Sequence, residues 1–234
     1  MEYKYGKNEN YEDFASGRVI YSDQGITNFP VRLAIEIFGR CLSYIDKETG
    51  VTVYDPCCGG AYLLTVLGFN YNNVIGKIIG SDINEVALQT ADKNLGLLSA
   101  VGLSKRKKEL EQLYQQYQKQ SHKEAIESVT RFEALLVENE IQVELFRQDC
   151  IQPIKHTICP DIIITDVPYG ELVEWENDGE NHINLMLDRL YDLSSKNTIL
   201  AVCSNKKQKI AGEKWKRLEK HNIGKRKFEL FQKM

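Results

Sequence analysis

Val51-Thr52-Val53-Tyr54 runs into Asp55-Pro56-Cys57-Cys58-Gly59-Gly60-Ala61 and then into an apolar segment, Tyr62 to Leu67, and reads as strand, tight turn and helix. Glycines and small residues accept unusual dihedrals and leave room for backbone to approach a bound group closely. Asp55, at the strand end, is placed to accept from a ligand ammonium, with Cys57, Gly59 and Gly60 in the turn around it. Beyond a break at Asn72 and Asn73, Val74 to Asp82 forms a second strand ending in an acid, where a carboxylate can accept both hydroxyls of a ribose. A third strand, Ile141 to Arg147, leads to Gln148-Asp149-Cys150, and Asp149 is placed to meet an adenine amino group.

The fourth strand, Ile162-Ile163-Ile164-Thr165, ends in Asp166-Val167-Pro168-Tyr169. An amine on a flat base is a poor nucleophile because its lone pair is delocalised into the ring, so a site acting on it needs acceptors. Ionised Asp166 can take one N–H, and the Val167 carbonyl, restricted by the proline that follows, can take the other. Tyr169 offers a stacking face, a contact worth roughly 1 to 3 kcal/mol in nucleic-acid sites. Asp and Pro also favour plain turns, so the tetrapeptide alone is equally readable as a strand-to-loop connection. Its position after three other strand-end acids tips the reading toward a site.

The remaining chain alternates in kind. Helices are predicted from Phe29-Pro30 to about Tyr44, from Asn84 to Leu98, from about Asn181 to Leu193 and from about Glu213 to Lys220, with strands at Thr198 to Cys203 and Lys227 to Phe231. Continuously apolar strands alternating with helices imply an α/β fold: a mainly parallel sheet covered on both faces, with ligands beyond the carboxyl ends of the strands. Asp55, Asp82, Asp149 and Asp166 all fall at that edge.

Four strand-end acids in this order match S-adenosylmethionine-dependent methyltransferases, and nearly the whole chain resembles the avilamycin-resistance 23S rRNA methyltransferase (AviRa) family. The resemblance is carried by Phe29 to Phe38, Asp55-Pro56-Cys57-Cys58-Gly59 with Tyr62 to Gly68, Asn94 to Ser99, and Asp161 to Gly170. It implies a Rossmann-like class I methyltransferase fold, S-adenosyl-L-methionine as cofactor, and methylation of a guanosine in 23S rRNA or the large ribosomal subunit, in a setting of antibiotic resistance. It makes Asp166, Pro168 and Tyr169 the catalytic group and Asp55, Cys57, Gly59, Gly60, Asp82 and Asp149 the cofactor site. Where the family's loop continues Gly-Ser-Gly this chain has Gly59-Gly60-Ala61, and Val167 replaces the first proline of the related Asp-Pro-Pro-Tyr signature. The favoured target atom is the exocyclic amine of guanine. Adenine or a protein amide as acceptor, and a non-catalytic RNA-binding protein of the same fold, are the alternatives. A dehydrogenase-like nucleotide binder is disfavoured because Gly-x-Gly-x-x-Gly does not follow the first strand.

With 234 residues and 42% hydrophobic content, the chain suits one domain, 1–234, with an N-terminal helical extension over 1–48 and a helical insertion over about 99–140. No stretch has the length of a membrane span or the pattern of a secretory leader, so a cytoplasmic location is expected; a monomer is favoured, with the oligomeric state left open by the sequence. Cys41, Cys57, Cys58, Cys150, Cys159 and Cys203 form no CxxC pair, which argues against zinc or a disulfide framework.

The net charge of −3 conceals segregation: from Lys206 to Lys233 basic residues greatly outnumber Glu213, Glu219 and Glu229, a concentration suited to phosphates. Met1 to Asp13 reads as a leader that is flexible or ordered on contact, and Arg18 and Arg32 as surface charges, with contact to a cofactor carboxylate or an RNA phosphate as the alternative for each. The insertion reads as a helical hairpin, its second helix opening at a capping-box-like Ser121-His122-Lys123-Glu124. Lys105-Arg106-Lys107-Lys108 at its start is a second candidate RNA dock, with Tyr114 and Tyr117 as core or stacking residues. Gly170 to Gly179, with Trp175, is a candidate lid.

Overall fold

A computed structural model of the chain describes residues 1–22, 29–136, 140–167, 182–210 and 212–234. Strands β1 (Val51–Asp55), β2 (Ile75–Asp82), β3 (Gln142–Arg147), β4 (Ile162–Asp166), β5 (Ile199–Asn205), β6 (Trp215–Ile223) and β7 (Arg226–Lys233) form one sheet in the order β3-β2-β1-β4-β5-β7-β6. The first five in that order are parallel, while β7 runs antiparallel to β5 and to β6. The helices are α1 (Val31–Leu42), α2 (Tyr62–Asn70), α3 (Glu85–Gly96), α4 (Ala100–Tyr117), α5 (Gln120–Leu135) and α6 (His182–Leu193).

The apolar strands feed two cores by simple alternation. Val51, Val53, Ile162, Ile164, Ile199, Ala201 and Cys203 face the core shared with α1 to α5, while Tyr54, Ile163, Leu200 and Val202 face the core beneath α6. Strands buried on both sides need no polar face, which is why the sequence reads there as continuous apolar runs. No described helix is long and apolar enough to cross a membrane.

The segment expected as a helix over Glu213 to Lys220 is instead the edge strand β6. Its lysines and glutamates favour a helix in isolation, but pairing with β7, from Trp215↔Lys233 to Ile223↔Arg226, decides the conformation. Charges on an edge strand also discourage pairing with another chain.

The N-terminal stretch is ordered rather than loose. Glu36, fully buried on α1, accepts backbone N–H bonds from Lys4, Tyr5 and Gly6 at 2.8, 2.7 and 3.0 Å, and its other oxygen accepts from Arg40 Nε at 2.7 Å. Arg40 in turn reaches Glu219 of β6 at 2.7 Å, tying the first residues to the far edge of the sheet. Phe14 packs against the stacked pair Phe69 and Phe132.

The insertion is the expected hairpin, with Gln118 in a left-handed conformation (φ 51°) between α4 and α5. Its second helix begins one residue earlier than Ser121 and lacks a side-chain cap at Lys119, so the capping-box reading of Ser121 to Glu124 does not hold. Within the expected basic dock, Arg106 is buried. Its guanidinium donates to the Val19 carbonyl at 2.9 Å and lies 4.2 Å over the Tyr21 ring, so it braces the N-terminal segment.

Candidate active site

Parallel register brings the strand-end acids to one edge: Asp55 lies opposite Gly80, Asp82 opposite Arg147, and Asp166 opposite Cys203. Asp149 sits two residues beyond β3 at the same edge.

The turn after β1 is held by its own backbone and by the neighbouring strand. Asp55 Oδ1 accepts from Cys57 N at 3.0 Å, Cys58 N donates to the Ser81 carbonyl at 2.9 Å, and Gly59 N donates to Asp82 Oδ2 at 2.8 Å. Gly59 (φ 51°) and Ala61 (φ 55°) are both left-handed, so the family's glycine position is occupied here by an alanine in glycine's conformation. A left-handed alanine costs roughly 1 to 2 kcal/mol. Ala61 N donates to the Cys58 carbonyl at 2.8 Å, and the Ala61 carbonyl accepts from the Thr65 hydroxyl at 2.7 Å. Asn94 of α3 braces the turn from outside through a 2.8 Å bond from Nδ2 to the Gly60 carbonyl. A side chain at Gly80 would meet Leu145 and the Cys58 sulfur at 2.8 and 3.1 Å, so a glycine stands beneath the turn.

Cys57 and Cys150 touch sulfur to sulfur at 3.4 Å, joining the turn to the loop that carries Asp149. The contact with Cys150, together with burial, pushes the Cys57 thiol upward, so it stays protonated and serves packing.

Asp82 accepts from Gly59 N through one oxygen and from Asn84 N through the other, at 2.8 and 2.9 Å, and each oxygen keeps a further lone pair. Asp149 uses Oδ1 for Ile151 N at 3.1 Å. It lines an open hollow of about 640 Å³ with Ile83, Gln152 and Pro153. Ile83 is 50% exposed, an apolar surface directly after Asp82 and lining the same hollow as Asp149. Sequence reasoning passed over Ile83 and the supporting role of Asn94. An apolar residue immediately following a strand-end acid was the available signal for the first.

Asp55 is almost completely buried, and burial pushes its carboxyl up to about 7, with the Cys57 N–H opposing and the charges of Asp82 and Asp166 adding to the rise. A buried acid with this proton affinity calls for a cation. Together with the acceptors on Asp82 and Asp149 and the backbone turn between them, it fits a ligand bearing an ammonium, a ribose and an adenine.

Asp166 has a divided environment. Oδ2 accepts from Arg226 Nη1 of β7 at 3.3 Å, whereas buried Oδ1 has no hydrogen-bond partner among the described residues. Burial pushes this carboxyl up to about 6 against the pull of Arg226. Val167 is fully buried, and its N–H donates to the Cys203 carbonyl at 3.0 Å. Pro168, Tyr169, the candidate lid 170–179 and Trp175 lie outside the described residues. Arg18 and Arg32 are committed elsewhere, to Glu124 at 3.3 Å and to the Gly6 carbonyl at 3.0 Å.

The fold and this row of acids define a class I S-adenosyl-L-methionine-dependent methyltransferase. The family model described as rRNA methyltransferase AviRa matches residues 1–226. A Streptomyces viridochromogenes protein named 23S rRNA (guanine(2535)-N(1))-methyltransferase is 35% identical over 224 residues, covering 92% of this chain and 88% of its own length. A solved structure of rRNA methyltransferase aviRa from the same organism superposes with a TM-score of 0.90 at 32% identity, covering 99% of this chain and 96% of that one. Escherichia coli yhhF, a putative methyltransferase, shares the fold at a TM-score of 0.56 and 14% identity, covering 92% of this chain and 91% of that one. This chain belongs to the AviRa family of rRNA methyltransferases.

Proposed function

We propose that this protein transfers the methyl group of S-adenosyl-L-methionine to N1 of a guanine in 23S rRNA, with Asp166 accepting the proton that N1 gives up. The observation that carries the reading is the divided state of Asp166: one oxygen anchored by Arg226, the other buried and without a partner among the described residues. The residues alone favour the exocyclic amine, while the related Streptomyces protein is named for N(1) of the same base. Both hydrogens lie on one edge of guanine. A carboxylate and an adjacent carbonyl can therefore accept the N1 proton and an amine hydrogen together, and Asp166 with the Val167 carbonyl is such a pair.

When bound, S-adenosyl-L-methionine supplies an electrophilic methyl on a positively charged sulfur. Asp55 would hold its ammonium, the turn containing Cys57, Gly59 and Gly60 its methionine portion, Asp82 its ribose and Asp149 its adenine, with Ile83 against the ring. The chain's own part is alignment and one proton. Alignment is worth up to roughly 7 to 11 kcal/mol in favourable intramolecular systems. A carboxylate pushed up to about 6 by burial is a stronger base than an ordinary aspartate, yet it is still mostly ionised at neutral pH. Pro168 and Tyr169 would restrict the peptide and stack on the base. The target guanine must be unpaired or flipped, because pairing hides N1. We read the enzyme as a single-domain cytoplasmic monomer acting on 23S rRNA, free or within the large subunit.

The test is transfer of labelled methyl to 23S rRNA by wild type and Asp166→Asn, followed by nucleoside mass spectrometry. The expected product is 1-methylguanosine from wild type and a loss of at least 100-fold in the variant, of the size general-base catalysis supplies. Undiminished turnover by the variant overturns the role of Asp166. Methylated adenosine or protein overturns the assignment of the base.

A further inference from the structure

We propose that two lysine-bearing turns beside Asp166, Asn205 to Lys209 and Gly224 to Arg226, form the surface that grips RNA phosphates flanking the target base, with Lys206, Lys207, Lys209 and Lys225 as the contacts. This rests on the reading that an RNA base reaches Asp166.

Topology puts both turns at the catalytic edge. β5 runs parallel to β4, so its end at Asn205 emerges beside the end of β4 at Asp166. β7 runs antiparallel to β5, so its first residue, Arg226, pairs with Asn205 and reaches Asp166 at 3.3 Å. The Lys206 N–H donates to the Lys225 carbonyl at 3.1 Å, which fuses the two turns into one rim.

The rim is built rather than floppy. Asn205 Oδ1 accepts from Lys207 N at 3.0 Å, Asn205 N donates to Gln208 Oε1 at 2.9 Å, and Gln208 N donates to the Asn205 carbonyl at 3.1 Å. Fixed backbone beneath the lysines lowers the ordering cost of binding a polyanion.

Four unpaired lysines gathered at the Asp166 edge distinguish this rim from the other basic regions. Lys206, Lys207, Lys209 and Lys225 are exposed and make no ion pair among the described residues. On α4, Arg106 is buried and Lys107 lies 3.9 Å from Glu133, which leaves only Lys105 and Lys108 of that cluster exposed and without an ion pair among the described residues. On the remainder of the C-terminal hairpin, Lys214 pairs with Asp188, Arg217 and Lys227 with Glu229. The concentration of basic residues seen in the C-terminal sequence therefore resolves into three kinds. Part is neutralised within the sheet, Lys216 and Lys220 are exposed without an ion pair among the described residues on the edge strand β6, and Lys206, Lys207, Lys209 and Lys225 are gathered next to the acid that would receive the base.

The experiment measures binding of a fluorescent RNA hairpin, with an unpaired guanosine in its loop, to the full-length protein across a salt series. The variants are Lys206→Ala/Lys207→Ala/Lys225→Ala and, for comparison, Lys105→Ala/Lys107→Ala/Lys108→Ala on α4. Three lost phosphate contacts should lower the slope of log affinity against log salt by about 2, and affinity itself by about tenfold or more near 0.1 M salt. Cofactor affinity should be unchanged, which separates loss of contact from loss of fold. A wild-type slope in the rim variant, or a larger loss in the α4 variant, overturns the proposal while leaving methyl transfer to RNA intact. Wild-type protein that methylates some other acceptor and binds no RNA overturns the functional reading and this surface with it.

Discussion

Replacement of Arg226 by glutamine tests how the fold sets the basicity of Asp166. Two opposing influences act on that carboxyl: burial raises it to about 6, and the guanidinium at 3.3 Å pulls it down. An opposite charge at such a distance typically shifts an aspartate by roughly 1 to 3 units. The two side chains keep 21% and 26% of their exposure, so solvent screens the pair and the low end applies. Removing the cation should therefore lift the midpoint of the acid limb of the rate profile by about one unit, from near 6 to near 7. At pH near 6 the ionised fraction would fall from about one half to about one tenth, a roughly fivefold slower single turnover. Near pH 9 the two enzymes should converge. Among the described residues, the other titratable groups facing Asp166 are Asp55 on β1 and the Cys203 thiol on β5. Asp55 is pushed up to about 7 and titrates in the same window, so the profile of Asp55→Asn with saturating cofactor fixes its share. The assay is single-turnover methyl transfer from about pH 5 to pH 9 with enzyme and both substrates saturating, which removes any contribution of Arg226 to RNA affinity. Arg226→Lys should restore most of the wild-type midpoint. An unmoved midpoint in Arg226→Gln, with the rate lowered equally at every pH, would refute the reasoning and leave Arg226 a merely structural residue.

Three further outcomes follow from other parts of the molecule. Because burial raises Asp55 to about 7, the native state holds a proton that the unfolded chain releases near 4, so its contribution to stability is lost as pH rises between those values. Asp55→Asn should accordingly stabilise the cofactor-free protein in urea at pH 8, by up to about 4 kcal/mol, but not at pH 4, while weakening cofactor binding; no difference between the two pH values would count against the buried-acid account. Glu36 has the opposite sign: its backbone donors and Arg40 hold it below the ordinary range despite burial, so its stabilisation is present above about pH 4.5 and is lost as pH falls through its lowered value. Glu36→Gln leaves Arg40 short of a partner and should cost about 3 to 5 kcal/mol, measured by urea unfolding near neutral pH, with protection of the Lys4 to Gly6 amides from hydrogen exchange lost as well. At Ala61, glycine should come within about 1 kcal/mol of wild-type stability, since relief of the left-handed conformation offsets a lost buried methyl and a more flexible unfolded chain. Ala61→Val should destabilise by several times that amount, and comparable losses for the two variants would contradict the observed φ.

The parts of this protein legible in its sequence were those fixed by local chemistry. The central parallel strands β1, β4 and β5 are almost wholly apolar because they are buried on both faces, and β1, β2 and β4 end in acids with Asp149 just beyond the half-exposed edge strand β3, so the edge they share could be read together. Elements decided by distant partners were less legible. β6 is made of residues that favour helices and becomes a strand only because β7 offers a ladder. The N-terminal stretch looks uncommitted until Glu36, 30 to 32 residues away, is seen to collect its amides. Arg106 sits in a run of lysines and is indistinguishable from them in sequence, yet the Val19 carbonyl and the Tyr21 ring draw it inside. The C-terminal charge excess was visible, but its division into paired and unpaired lysines depends on the sheet order.

The two departures, Ala61 from the family's loop and Val167 from the related Asp-Pro-Pro-Tyr signature, have separate physical consequences. Val167 stands where a proline would lack an N–H, and that N–H donates to the Cys203 carbonyl. The fixed φ that a proline provides is thus replaced by a bond to the neighbouring strand β5. Rigidity at the acceptor is obtained through the sheet instead of through the ring. Ala61 works the other way, because it keeps the left-handed turn and bears the strain, with the Cys58 carbonyl, Thr65 and the packing of a buried methyl holding it there. In both positions the backbone path survives the loss of the residue that ordinarily favours it. The site is therefore specified by the strand ends and their cross-strand bonds, and the individual motif letters are free to change where those bonds compensate.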